Sequence, residues 1–213
     1  MRKGLFITFE GIDGCGKSTQ SSLFCEYLER EKVPYVYTRE PGGTKISESI
    51  RGILLDPKNS ISPLTELMLY EAGRIEHMVK IIKPALNNGK VVVCDRFTDA
   101  TVAYQGYGRK IDLKIIEKLN SIATNNISPD LTILLDISEK EGLARAKHTK
   151  KSNDRMEQEQ LSFYKMVRKG YLHLAKKNPK RIISILTTKT VEETQGKIIN
   201  ALKKRLTKYK NGF

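Results

Sequence analysis

The segment Gly11-Ile12-Asp13-Gly14-Cys15-Gly16-Lys17-Ser18 constrains this chain more than any other. It matches the spacing G-x-x-x-x-G-K-[ST] and lies between an apolar run at residues 5–9 (LFITF) and a helical pattern over residues 17–31. A buried strand that feeds a glycine turn opening a helix is the context this spacing requires. Glycines let the backbone wrap an anion without Cβ clashes, and the exposed N–H groups and positive helix end then hold it. Gly11, Ile12, Asp13, Gly14, Cys15, Gly16, Lys17, Ser18 and Thr19 are therefore expected to bind a nucleoside triphosphate. Lys17 would reach the β- and γ-phosphates, and the Ser18 hydroxyl would ligate Mg²⁺. A helix N-terminus lowers thiol pKa values, so Cys15 could be reactive. A small residue tolerated between two glycines explains it better.

Beyond the loop, strand and helix patterns alternate. Strands are expected at residues 34–38, 90–94, 131–135 and 181–186, in addition to 5–9. Helices are expected at about 45–55, 63–72, 73–88, 112–125, 139–147, 157–177 and 191–207, and the tail at 208–213 should fray. Such alternation implies an α/β fold, a P-loop NTPase three-layer α/β/α with a parallel, five-stranded sheet. With 213 residues and neither repeat nor linker, residues 1–213 read as a single domain. A short basic lid is expected at about 145–156.

Asp95-Arg96 follows the buried run KVVVC at residues 90–94. An aspartate ending a strand beside the loop strand can hold Mg²⁺ together with Ser18. Asp136, which ends the run LTILL, competes for that role. Asp95 is preferred because the adjacent Arg96 could bridge donor and acceptor phosphates during transfer.

From this point the chain resembles the thymidylate kinases. Asp95-Arg96-Phe97-Thr98-Asp99-Ala100-Thr101-Val102-Ala103-Tyr104-Gln105-Gly106 is similar to that family's D-R-[YF]-x-x-S-x-x-A-Y-Q-G, with Ala100 where Ser is usual. Arg39-Glu40-Pro41-Gly42-Gly43-Thr44 resembles the loop of the bacterial branch. Phe9-Glu10-Gly11-Ile12-Asp13-Gly14 and Leu69-Tyr70-Glu71-Ala72-Gly73-Arg74 are two further matches in the same order. The resemblance makes the nucleoside triphosphate ATP and implies phosphorylation of dTMP to dTDP by ATP with Mg²⁺, on the route to dTTP, in a homodimer. A cytoplasmic location is the default expectation from the cysteines and the short apolar runs. The resemblance also implies roles for particular residues. Arg39 and Arg96 would clamp the monophosphate, which suits a planar guanidinium fork. Tyr70 would stack on thymine and Arg74 would bond its carbonyl. Tyr104 would crowd the sugar 2′ carbon, Thr101 and Gln105 would flank base and sugar, and Asp13 would lie near the sugar and phosphate. Arg51 and Leu54 are further candidates for the same pocket, although helix packing explains Leu54 equally well. The phosphate loop holds no arginine, so the catalytic cation would come from the lid. Arg145 and Arg155 are the preferred sources, and Lys150 and Lys151 read as solvated. The catalytic set would then be Lys17, Asp95, Arg96, Arg145 and Arg155, with no covalent nucleophile. His77, His148 and His173 read as surface or packing residues.

Charge and cysteine content agree with this reading. Lys and Arg number 38 against 24 Asp and Glu, a net charge of +14 that suits anionic partners. A nucleic-acid-stimulated ATPase is the rival from another class. It should show a strand ending in paired acids, yet Arg96 follows Asp95, so no nucleic-acid partner is expected. Three cysteines without a C-x-x-C pair argue against a disulfide framework or zinc site. No apolar run approaches the length of a membrane span, and no membrane partner is expected.

Overall fold

The structure is a computed structural model that describes residues 4–149, 154–188 and 190–211. In chain order the elements are β1 (Leu5–Glu10), α1 (Lys17–Arg30), β2 (Tyr35–Arg39), α2 (Lys45–Leu55), α3 (Pro63–His77), α4 (Lys83–Asn87), β3 (Val91–Asp95) and α5 (Thr98–Thr101). They continue as α6 (Leu113–Thr124), β4 (Leu131–Asp136), α7 (Glu139–Thr149), α8 (Leu161–Lys177), β5 (Ile182–Leu186) and α9 (Val191–Asn211). One π-helical stretch, Met78–Ile82, joins α3 to α4, and another, Val102–Gly108, prolongs α5.

The five strands form one parallel sheet in the order β2-β3-β1-β4-β5. β1 is central and contributes to both faces, because successive side chains on a strand point to opposite sides. Ile7 and Phe9 pack with Phe24 and Leu28 of α1, Tyr164 and Val167 of α8, and Ile198 and Leu202 of α9. Phe6 faces the other way, toward Met78, Ile82, Leu86 and Phe97. Full burial of each large apolar side chain contributes about 1.5–3 kcal/mol. Helices thus cover both faces, as a parallel sheet demands. The order reverses at β1, which has β3 on one side and β4 on the other. A ligand crevice is expected at the carboxyl ends of strands at such a switch point.

Most expected elements are present within a few residues, but four differ. Residues 63–87 form one helical rod interrupted only by the π stretch. Gly73 does not break it, and its carbonyl accepts a bond from Ser47 Oγ at 2.8 Å. The stretch from Thr98 to Gly108, given no element by periodicity, is helical. Its pattern is obscured because both its polar and its apolar residues are buried. α8 begins at Leu161, four residues later than expected. The helix α9 runs to Asn211 instead of fraying from residue 208, since Tyr209 is buried and its hydroxyl donates to the Gly89 carbonyl.

Candidate active site

β1 ends at Glu10, and the chain then turns through Gly11, Gly14 and Gly16, whose φ angles are 139°, 75° and 91°. Gly14 also has no room for a side chain, because a Cβ there would stand 1.9 Å from the Gly142 carbonyl oxygen. Gly16 caps α1, whose first turn carries no acidic residue, so its amide end is left for an anion. Lys17 is only 6% exposed, and its Nζ donates to the Ile12 carbonyl at 2.9 Å across the loop. Ile12 is itself buried and lends the loop its backbone. Cys15 is buried, and burial pushes its thiol up despite the nearby Lys17, which removes the reactive-thiol reading.

The register pairs Phe9 of β1 with Asp95 of β3, so the end of β3 lies beside the start of the loop. Ser18 Oγ donates to Asp95 Oδ2 at 2.6 Å. Hydroxyl and carboxylate oxygens at a phosphate loop are a donor set that fits a hard divalent cation. Asp136 is engaged elsewhere, taking Nε and Nη2 of Arg168 at 2.7 and 3.0 Å. Among the described residues, no group of three or more His, Cys, Asp or Glu side chains is placed to hold a metal.

Arg96 adopts φ 71°, the left-handed region, which costs a long side chain about 1–3 kcal/mol. Its N–H is held by the Phe9 carbonyl at 3.0 Å, and the turn sends the guanidinium back across the loop. There Nη2 meets Asp13 Oδ1 at 2.6 Å and Tyr104 Oη at 3.1 Å, while Nη1 donates to the Gly11 carbonyl at 3.1 Å and to Tyr171 Oη at 3.2 Å. Asp13 Oδ2 lies within 3.2 Å of the Tyr104 and Tyr164 hydroxyls.

Two cavities adjoin at this arginine. The larger, about 1770 Å³ and open to solvent, runs along the loop and α1 past Lys17, Ser18, Asp95 and Arg145 to Thr188 and Val191. The smaller, about 620 Å³, is lined by Tyr70, Arg74, Phe97, Thr101, Tyr104 and Gln105 among others. Asp13, Glu40, Arg51 and Arg96 line both.

In the smaller cavity, Arg74 is almost wholly buried. Nε donates to Glu40 Oε2 at 2.8 Å, and Nη1 to Glu71 Oε1 and Asn120 Oδ1 at 2.6 and 2.7 Å. Glu40 is held in turn by His77, whose Nδ1 is 2.9 Å from Oε1. His77 is thus a buried support and not a surface residue. Burial alone would push the Glu40 carboxyl up, but Arg74 and His77 outweigh it and hold it below the usual range. Burial pushes the Tyr70 hydroxyl up, so that ring stays neutral and available for stacking.

Most of the residues expected in the site line one of these cavities, but not all. Arg39 is half exposed, paired with Glu48 at 3.2 Å, and lines the larger cavity near Arg51 and Arg96. Leu54 is buried in packing, and its neighbour Leu55 lines the smaller cavity instead. The two lid arginines part company. Arg145 lines the larger cavity, with Nη2 on Glu141 at 2.6 Å. Arg155 lies outside it, with Nε on the Leu54 carbonyl and Nη2 on Glu66 at 2.8 and 2.6 Å. Lys150 and Lys151 lie outside the described residues. Sequence reasoning missed Glu66, Tyr164, Tyr171 and the threonines Thr187, Thr188 and Thr190. The last three were findable, as a polar run following a strand at the ligand edge of the sheet.

The glycine loop, the switch-point crevice and the adjoining cavities define a P-loop NTPase-type α/β protein with room for two ligands. The family model for thymidylate kinase matches residues 9–198. A thymidylate kinase from Citrifermentans bemidjiense is 47% identical over 209 residues, covering 95% of this chain and 93% of that one. One from Symbiobacterium thermophilum is 45% identical over 192 residues, covering 90% and 89%. The crystal structure of thymidylate kinase from Ehrlichia chaffeensis superposes with a TM-score of 0.78 at 41% identity, covering 94% of this chain and 99% of that one. The chain belongs to the thymidylate kinase family.

Proposed function

We propose that this chain transfers the γ-phosphoryl group of ATP to dTMP, giving ADP and dTDP, with ATP in the larger cavity and dTMP in the smaller. Family membership carries the reaction. The observation that carries the assignment of sites is the sharing of Arg51 and Arg96, together with Asp13 and Glu40, by both cavities. Two guanidinium groups at this junction suit direct transfer, in which charge shifts between equatorial oxygens and no covalent enzyme intermediate is needed. Lys17 and the loop N–H groups hold the donor phosphates, and Arg96 at the junction holds the acceptor phosphate, with Arg39 reaching it from the larger-cavity side. Arg145 is the lid cation, and Arg155 anchors the lid to Glu66. Ser18 and Asp95 would hold Mg²⁺, which when bound supplies charge neutralisation at the phosphates. Tyr70 stacks on the base, Arg74 bonds its carbonyl, Thr101 and Gln105 flank it, and Tyr104 crowds the 2′ position.

Residues 1–213 act on this reading as one kinase domain, with residues 145–156 as its lid. Homodimer formation is supported by an apolar face on α2 and α3, where Ile46, Ile53, Leu64, Met68 and Ile75 are exposed. A cytoplasmic location is supported by the free cysteines Cys15, Cys25 and Cys94. No described helix is long and apolar enough to cross a membrane. ADP release, measured with ATP and Mg²⁺ plus dTMP, DNA or neither, tests the function. Stimulation by dTMP alone is expected. Stimulation by DNA and not by dTMP would replace the reading with that of a nucleic-acid-dependent ATPase.

A further inference from the structure

Glu66 is a fully buried carboxylate in α3 whose two oxygens receive donors from three residues on two separate segments. Gln105 Nε2 and Arg109 Nε reach Oε1 at 2.8 and 3.1 Å, while Arg109 Nη2 and Arg155 Nη2 reach Oε2 at 3.1 and 2.6 Å. Burial by itself raises its pKa, but the bonds from Arg109 and Gln105 prevail and hold it below the usual carboxylate range. An ionised carboxylate only accepts, so the amide of Gln105 has one permitted orientation, with Nε2 on Glu66. Rotating it would set Oε1 against Oε1 and leave a buried acceptor unpaired.

The consequence appears in the smaller cavity. Gln105 Oε1, Arg74 Nη2 and Thr101 Oγ1 have no hydrogen-bond partner among the described residues. None is sealed from solvent, and all three side chains line that cavity. The wall therefore presents an obligate acceptor, Gln105 Oε1, and an obligate donor, Arg74. A pyrimidine imide edge matches this pair, its N–H to Gln105 and its carbonyl to Arg74. An aminopyrimidine edge reverses both polarities, setting donor against donor and acceptor against acceptor. Sites with fixed polar groups reject such mismatches strongly, because the buried groups are left unpaired.

We propose that Glu66 is the positioning residue that sets base specificity, by locking the Gln105 amide with its oxygen toward the acceptor base. The inference rests on the reading of the smaller cavity as the dTMP site. Glu66 touches no substrate and acts through Gln105. Arg109 and Arg155 keep it charged, so the lid anchor and the base-reading amide share one carboxylate.

The test compares kcat/KM for dTMP and dCMP in the wild type, Glu66→Gln, Gln105→Ala and the double variant. A glutamine at position 66 can offer either an oxygen or a nitrogen, which frees Gln105 to turn. The dTMP-to-dCMP ratio should fall at least tenfold in Glu66→Gln, and Glu66→Gln should change the ratio no further once Gln105 is alanine. Should Glu66→Gln fail to fold, Glu66→Asp takes its place. It keeps the charge for Arg109 and Arg155 but is one methylene too short to hold Gln105 Nε2, and the same fall is expected. An unchanged ratio in a folded Glu66 variant, or an equal effect with and without Gln105, overturns the proposal. A wild-type enzyme that ignores dTMP altogether would instead overturn the reading of the cavity.

Discussion

Glu10 offers a stability test whose size follows from its surroundings. It ends β1 directly under Arg96 and is completely buried, with Oε1 accepting from the Phe97 N–H at 2.7 Å and Oε2 from the Tyr171 hydroxyl at 2.8 Å. Burial, then the charge of Asp99, raises its pKa from 4.5 to about 8, against the opposing pull of Arg96. The folded state therefore keeps a proton that the unfolded state releases between those two values. Stability is unaffected below pH 4.5, falls as the pH rises from there to 8, and then levels off. At about 1.4 kcal/mol per tenfold, the full difference reaches up to about 5 kcal/mol. Glu10→Gln removes the titration while keeping an acceptor for Phe97. Its fixed packing cost cancels when the difference from wild type is followed against pH. Urea unfolding of both proteins at several values from pH 5 to 9 should show the variant gaining on the wild type by several kcal/mol. A difference that stays flat across this range would refute the buried, proton-retaining Glu10.

Lys17→Ala should abolish transfer while the thermal midpoint moves little, since the ammonium bonds only within its loop; near-normal turnover would remove Lys17 from the donor site. Tyr104→Ala should relax discrimination against the ribonucleotide more than it weakens dTMP binding, as read from kcat/KM for dTMP and its ribo-analogue, and an unchanged ratio would contradict that role. Arg145→Ala should lower kcat about a hundredfold, the usual loss for a cation acting on the transferring group. Arg155→Ala should chiefly reduce stability, by about 1–3 kcal/mol, since Arg109 and Gln105 still hold Glu66. A kcat loss in Arg155→Ala matching that of Arg145→Ala would show that both arginines reach the phosphates.

The fold was legible because its signals are local. Glycine turns, short buried strands and one signature loop each specify their own backbone, and the alternation of strand and helix leaves few topologies. Many of the residues that line the two cavities were legible for the same reason, lying in short segments such as residues 11–18 and 95–106. What escaped was the support around them. Glu66, Tyr164 and Tyr171 lie far in sequence from the groups they hold, with Tyr164 and Asp13 separated by 151 positions. On their helices such residues look like any polar or aromatic residue. The two lid arginines were indistinguishable as sequence, because only packing assigns Arg155 to Glu66 and leaves Arg145 beside the phosphate loop. Residues 98–108 were unreadable by periodicity because the segment is buried on its polar side as well.

The most direct test of the central claim follows the phosphoryl group itself. The enzyme is incubated with γ-³²P-labelled ATP, Mg²⁺ and, in turn, dTMP, dUMP, dCMP, dAMP and dGMP, and the products are separated by chromatography. Label should appear in the β-phosphate of dTDP, with little transfer to dCMP or the purine nucleotides. Label recovered only as inorganic phosphate, or transferred equally to every acceptor, would contradict a dTMP kinase built on these two cavities.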